Sequence, residues 1–561
     1  MKIGAGVLGA VLVVGGVGYG GYTVYDKTLG GGGPQPADAL PANTIAYARV
    51  DLDPSASQKI ALMDLIDRLP DVKKELGIEG LDSEDDLRET AFTDWFDLED
   101  ECGVSYADDV EPWIGQRVGV ALTDDFEISD DEDETGESLA KSVALVIQVT
   151  DEEKAKDGIT KLATECGIME DIDDELGTGD EPGIAFREGY AVVTVDQDAA
   201  DAMVEAANGS SLSSNDKFSS DMDTLGEDGV ASVWYDQAAI NERVEQAMDE
   251  FGGVPSEVED MMGYYSKVDS SAATLRATDD SLELAGVASL TEKFEAPEAE
   301  GLAGLPEDTL AGLSIVGGGK LAEKAWEAFL PWAEMSGEFD SYSDIYEDED
   351  CFDAYLNDTD YYDYEEYAEE QCGISSEPVD VEEMIEEQTG LSMPDDLATV
   401  LGDEFNIYLG SSNIDDIADA VEDEDVEGVL ESGNAGIEIV SDGDPAAILE
   451  DLTDLAGVDI DITETDSGAI IATNDGAADT LENDNGLGGT DAFTSVAEGH
   501  DRPLGGFYVD LAAAFDAIEA VDSSAGDELD DYAFLKALGV TAWMEDDTTV
   551  GFSAKLSFTN E

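Results

Sequence analysis

The sequence predicts an α+β protein: two tandem copies of one unit, each a mainly antiparallel sheet with packed helices, behind a single transmembrane helix. Three observations lead there. Six segments recur in the same order, strand-period and helix-period stretches alternate through short turns, and an uncharged apolar run stands at the amino end.

Ile3 to Tyr25 carries no charge, with Lys2 before it and Asp26 and Lys27 after it. At about 1.5 Å per residue the run covers about 34 Å, enough for a bilayer core. A cleaved signal peptide is the alternative; it would have a shorter apolar core and an A-x-A-like site, and none is found here. Residues 1–27 are therefore read as an anchor. Residues 28–37 follow as a tether, flexible through Gly30–Gly33 and stiffer, of polyproline type, through Pro34-Gln35-Pro36. Lys2 and the free amino group favour a cytoplasmic amino end, which puts the remainder outside the cytoplasm. Gly4-Gly6-Gly9 and Gly16-Gly18-Gly21 fit G-x-G-x-x-G, but neither follows a strand, so neither is a dinucleotide site.

Self-similarity organises everything after residue 37. Leu40–Ala46 (LPANTIA) recurs as Leu305–Ala311 (LPEDTLA), each opening an apolar strand. Gly103–Leu122 lies over Gly390–Leu409 without a gap, sharing Ser105/Ser392, Asp108/Asp395, Asp109/Asp396 and Gly115/Gly402. That pattern is an acid-capped helical turn, a glycine stop and an alternating strand. Ile147–Ile168 lies over Ile437–Val458, and Gly189–Asp201 over Gly468–Asp479 with one gap, pairing Asp196 with Asp475. Val233–Ala239 lies over Phe507–Ala513, and both copies close on a hairpin, at Asp279-Asp280 and Asp546-Asp547. The repeats are placed at 38–295 and 300–561. An acidic, Tyr-rich insert at 336–372 has no counterpart in the first copy and reads as a surface excursion or a recognition patch.

The four cysteines are Cys102, Cys166, Cys351 and Cys372. An even number outside the membrane points to two disulfides, and C-x2-C zinc spacing is absent. Of the three pairings, Cys351–Cys372 within the insert and Cys102–Cys166 within the first copy are favoured.

Charge excludes whole classes of partner. The chain has 137 Asp and Glu against 24 Lys and Arg, a formal net charge of −113. Nucleic acid and anionic lipid surfaces both demand clustered cations and are not expected as partners. A solvated carboxylate surface repels itself and is relieved by salt, which suits a cation-rich exterior and non-specific divalent cations. No D-x-[DN]-x-[DN]-G-x5-E loop occurs, so no EF-hand metal site is read.

Residues 34–44 (PQPADALPANT), then Tyr47–Ala56 and Gln58-Lys59, resemble the opening of the domain-of-unknown-function family 3352. Val110–Gly115 (VEPWIG) resembles it too. The resemblance implies an actinobacterial, membrane-anchored, exported protein. It implies no reaction, ligand, cofactor or catalytic residue.

The residues themselves assign no catalytic centre. His500 is the only histidine and sits in a turn-like stretch, which removes most Ser-His and Cys-His schemes. S-x-x-K occurs at Ser138/Lys141 and Ser214/Lys217 without S-D-N or K-T-G companions. Asp108, Asp109, Asp395 and Asp396 recur as helix-starting acids, a sufficient structural role. The expectation is a single-pass, extracytoplasmic binding or structural component of the cell envelope, without cofactor or metal, that engages an envelope partner. The alternative is a hydrolase acting on wall or glycan material, which requires a convergent pocket with paired, perturbed acids.

Overall fold

The computed structural model describes residues 34–167, 181–250, 267–330 and 381–559, apart from short interruptions of which 75–86 and 94–101 are the longest. The first eight strands are β1 (Thr44–Asp51), β2 (Ile114–Thr123), β3 (Val143–Val149), β4 (Gly183–Arg187), β5 (Tyr190–Thr194), β6 (Ala231–Tyr235), β7 (Val268–Thr278) and β8 (Ser281–Leu290). The next eight are β9 (Thr309–Val316), β10 (Glu404–Gly410), β11 (Ala435–Val440), β12 (Ile462–Thr465), β13 (Gly468–Ala472), β14 (Pro503–Asp510), β15 (Leu535–Met544) and β16 (Thr549–Phe558). All sixteen form one antiparallel sheet, joined where β8 pairs with β16. From that joint outward, one side runs β8-β7-β6-β1-β2-β3-β5-β4 and the other β16-β15-β14-β9-β10-β11-β13-β12. The second order is the first with eight added to each label. Where the sequence predicted two sheets, there is one: the last strand of each half is long and apolar, and pairing removes both edges.

Local devices repeat as well. Thr44 and Thr309 each donate their hydroxyl to the carbonyl of the proline three residues back, at 2.8 and 2.7 Å. Ser105 N–H donates to Asp109 and Ser392 N–H to Asp396, closing the same acid-capped turn twice. Gly103 and Gly390, with φ of +66° and +77°, occupy the left-handed region just before it. Asp236 and Asp510 both cap the helix that follows β6 or β14. Phe218, on the helix Asp216–Leu225, meets Trp234 edge-to-face at 5.4 Å. Phe493, on Asp491–Val496, meets Tyr508 in the same way at 5.3 Å.

Strand pairing corrects two of the sequence matches. Gly119 faces Val146 on β3, and Asn406, which matches Gly119, faces Glu438 on β11. Val146 therefore corresponds to Glu438 and Ile147 to Ile439, two residues beyond the Ile147/Ile437 match. A slip of two keeps every side chain on its face, so the apolar alternation could not reveal it. In the next hairpin Arg187 faces Tyr190 and Thr465 faces Gly468, so Tyr190 corresponds to Gly468. Asp196 then corresponds to Asn474, and each caps its helix through the backbone N–H three residues on. The Asp196/Asp475 pairing is overturned, because cap geometry and not the identity of the acid defines the position.

Helices cover both faces. Val146 and Ile147, neighbours on β3, enter different cores, since alternate strand residues face opposite ways. The Val146 face carries Tyr47, Trp234, Phe218 and Val287 in the first half and Tyr408, Phe493 and Tyr508 in the second. The expected polyproline spacer is different in fact: Pro36–Ala39 forms a helical turn, with Pro36, Ala37 and Ala39 buried. Proline at a helix start loses no hydrogen bond and is pre-set in φ. At one sheet edge, Gln197 closes a hydrogen-bonded ring on Ile184 of β4, accepting from its N–H at 3.2 Å and donating to its carbonyl at 3.0 Å. This blocks strand addition there. Among the described residues no helix is long and apolar enough to cross a membrane. The predicted span Ile3–Tyr25 and the insert 336–372, with Cys351 and Cys372, lie outside the described residues.

Candidate functional site

A polar cleft of about 620 Å³ opens in the second half, lined among others by Glu307, Asp308, Ser412, Asn434, Asn474 and Thr480. Its floor follows from the repeated LPxxT turn, which places Asp308 just before β9. Asp308 accepts from Tyr408 Oη at 2.6 Å, from Asn434 Nδ2 at 2.9 Å and from the Ser412 hydroxyl. Its carbonyl accepts from Ser411 N–H at 2.8 Å. Also in the lining, Asn474 donates to the Gly433 carbonyl at 2.6 Å while its Oδ1 caps the helix Asp475–Asn483. Most of these side chains are thus held by partners before any ligand arrives, which lowers the entropy cost of binding. Among the described residues the lining has amides, hydroxyls and two acids, and no Lys or Arg.

A second polar group crosses the Val146 face away from that cleft. In the first half it holds Arg49 on β1 and Arg117 on β2, both buried. Arg49 donates to Gln35 Oε1 at 3.0 Å and to Ser232 Oγ at 3.4 Å. Arg117 pairs with Asp51 at 3.3 Å and reaches the Pro34 carbonyl, which also accepts from Tyr190 at 2.7 Å. The segment entering from the amino end is therefore clamped on two guanidinium groups. In the second half, Ser314 corresponds to Arg49 and Glu404 to Arg117. There Asn406 Nδ2 donates to Glu404 Oε1 at 3.2 Å and to Glu438 Oε2 at 3.1 Å. Burial pushes both carboxyls above the usual range, against the Asn406 hydrogen bonds, and the Glu438 charge raises Glu404 further.

The residues weighed in the sequence fall elsewhere. His500 is half-buried, its ring stacked on Trp543 with centroids 3.6 Å apart, and burial lowers its pKa. Asp109 pairs with Lys161 at 2.6 Å, a contact that holds its carboxyl below the usual range. Asp108, Asp395 and Asp396 remain at their helical turns. Ser138 accepts from Glu127 N–H, and Lys141 pairs with Glu137 at 2.6 Å. Ser214 donates to the Ser211 carbonyl, while Lys217 is held by Asp236 at 2.9 Å and Asp269 at 2.8 Å. In neither pair do the described contacts join the lysine to its serine. Cys102 and Cys166 are joined as a disulfide. The cleft and the Glu404/Glu438 pair escaped the sequence reading. The cleft's lining residues lie up to 173 positions apart, from Glu307 to Thr480, and acids abound in this chain. The LPEDT turn carrying Asp308 was the one signal present.

These features define a duplicated-order, all-antiparallel sheet protein with helices on both faces and a polar cleft near one end. The chain belongs to the family described as "Protein of unknown function (DUF3352)", whose match spans residues 7–421. No curated protein and no solved structure matches it.

Proposed function

We propose that this protein is a tandem duplication anchored in the membrane through Ile3–Tyr25, with its folded part outside the cytoplasm. In this reading it binds a small polar ligand, neutral or positively charged, of the cell envelope. The cleft carries the proposal. Its lining pairs donors and acceptors in a pre-set arrangement, two acids repel anions, and little apolar surface is available for a hydrophobic ligand. Repeated strand order and repeated turn chemistry support the duplication. The uncharged amino-terminal run and the Cys102–Cys166 disulfide support export. Binding is favoured over hydrolysis because the two perturbed carboxyls, Glu404 and Glu438, do not line the cleft.

The test is saturation-transfer NMR on the full chain in detergent with neutral sugars, amino sugars and anionic sugars. Neutral or amino sugars should bind and anionic ones should not. Thr480→Trp, which fills the cleft, should abolish binding without shifting the melting temperature. Binding unaffected by Thr480→Trp, or turnover of any bound sugar, would overturn the reading.

A further inference from the structure

The acids that replace arginine in the second half raise a separate question, independent of the cleft. Glu404 and Glu438 project from adjacent strands to one amide nitrogen, that of Asn406. Gly301 N–H adds a donor to Glu404 at 3.0 Å. Neither carboxylate has a Lys, Arg or His among its described ion pairs or perturbing charges. Glu300 instead adds a further negative charge near Glu404. Two half-buried carboxylates without a cation repel one another and lose solvation, which fixed amides only partly offset.

Two further atoms are left over. Asn406 is 3% exposed and Ser314, its cross-strand neighbour on β9, is 2% exposed. Asn406 Oδ1 and Ser314 Oγ are both buried without a hydrogen-bond partner. Asn406 Oδ1 is thus an orphan acceptor on the very amide whose nitrogen bridges the two glutamates, and a buried acceptor calls for a partner. Which end of an amide faces which neighbour is an assignment that the surroundings decide. Turned over, Asn406 would aim Oδ1 between the carboxylates and Nδ2 toward β9. Both orphan atoms then gain a use once a positive charge sits between the glutamates.

The first half shows what the scaffold does with charge at this place. Arg117 stands at the position of Glu404 and Arg49 at that of Ser314, so the cation is built into the chain. We infer that the second half instead takes its cation from solution, and that Glu404, Glu438 and Asn406 Oδ1 form a calcium-binding site, with Ser314 Oγ accepting from Asn406 Nδ2 behind it. The donors are all oxygen, which selects hard cations over zinc, copper or iron. Calcium accepts irregular oxygen sets completed by water, whereas magnesium demands a near-octahedral shell. Among the described residues no group of three His, Cys, Asp or Glu side chains is placed to hold a metal. The site therefore relies on two carboxylates plus one amide oxygen, completed by water, and its affinity belongs to the extracellular range, with Kd about 0.1–1 mM.

Isothermal titration of the full chain in detergent with calcium chloride, in molar sodium chloride to screen diffuse carboxylates, tests this. One saturable site per chain is expected. Glu404→Gln with Glu438→Gln removes both charged ligands and should abolish saturable binding, and Glu450→Gln, on an exposed helix face, should leave it unchanged. Asn406→Asp adds a charged oxygen without changing size; it should bind calcium more tightly and melt lower in chelator. Gradual uptake identical in all four proteins would overturn the proposal. So would a melting temperature that rises on acidification but ignores calcium, because the pair would then be holding a proton.

Discussion

The two halves use one scaffold and opposite chemistry. Residues before 295 fill the polar row on the Val146 face with Arg49 and Arg117, which hold the incoming chain at Pro34 and Gln35. Residues after 300 fill the same row with Ser314, Asn406 and acids. The first half sets a buried carboxylate, Asp221, beneath the Trp234 indole at 2.9 Å; counting from Phe218 and Phe493, the matched residue is Val496, also buried. The first half has the Cys102–Cys166 disulfide, where the second has Thr389 at the place of Cys102. Backbone turns, caps and aromatic contacts persist, while buried polar groups change. Apolar packing tolerates substitution as long as volume and face are kept, whereas each buried polar group needs its own partner and so diverges in sets.

The comparison can be broken at its shared parts. Phe218→Ala and Phe493→Ala each remove a buried ring from an equivalent edge-to-face contact, and each should cost about 3–5 kcal/mol in urea unfolding. A loss in only one half would show that the helices Asp216–Leu225 and Asp491–Val496 do different jobs. Reduction of Cys102–Cys166 sharpens the comparison at an unshared part. Its closed loop spans a sequence separation of 64, worth about 4 kcal/mol in the chain-entropy account. Hydrogen exchange after reduction should rise across β2, β3 and the helix Glu152–Glu165 and leave β10 and β11 unchanged.

Much of this scaffold was legible in the sequence, and the misses have physical causes. The LPxxT turns, the acid-capped turns and the closing hairpins were visible because each depends on a few consecutive residues of fixed type. Strand register was not, since a two-residue slip at β3/β11 preserves the apolar face. The one-residue slip at Tyr190/Gly468 came from aligning Gly189 with Gly468 by identity. The Glu404/Glu438 pair exists only through the pairing of β10 with β11, and in a chain with 137 acids no local signal separates two of them.

Smaller effects follow. Gly103→Ala and Gly390→Ala place a side chain at φ +66° and +77° where no atom of the described residues lies within 4 Å of the new Cβ. Each should therefore cost only the backbone strain, about 1 kcal/mol, by thermal melts. Unequal costs would separate the two turns. The smallest effect is with pH, in chelator. Both glutamate pKa values are raised in the folded chain, so their contribution is fullest below the unfolded carboxylate range and is lost as pH rises through the folded values. Glu404→Gln with Glu438→Gln should therefore melt above wild type at neutral pH, and the difference should close on acidification. A difference independent of pH would contradict the charge inversion.

The common scaffold itself is tested most directly by register. Ala46 faces Leu122 across β1 and β2, and Ala311 faces Leu409 across β9 and β10, at matched positions of the two halves. Cysteines placed at 46 and 122 in one variant, and at 311 and 409 in another, are to be oxidised and mapped by mass spectrometry. If the halves are copies of one unit, the two pairs see the same geometry and should cross-link to the same extent and at the same rate. Efficient closure of one pair with failure of the other would show that the halves differ in register at their first two strands, and the account of one scaffold used twice would fall.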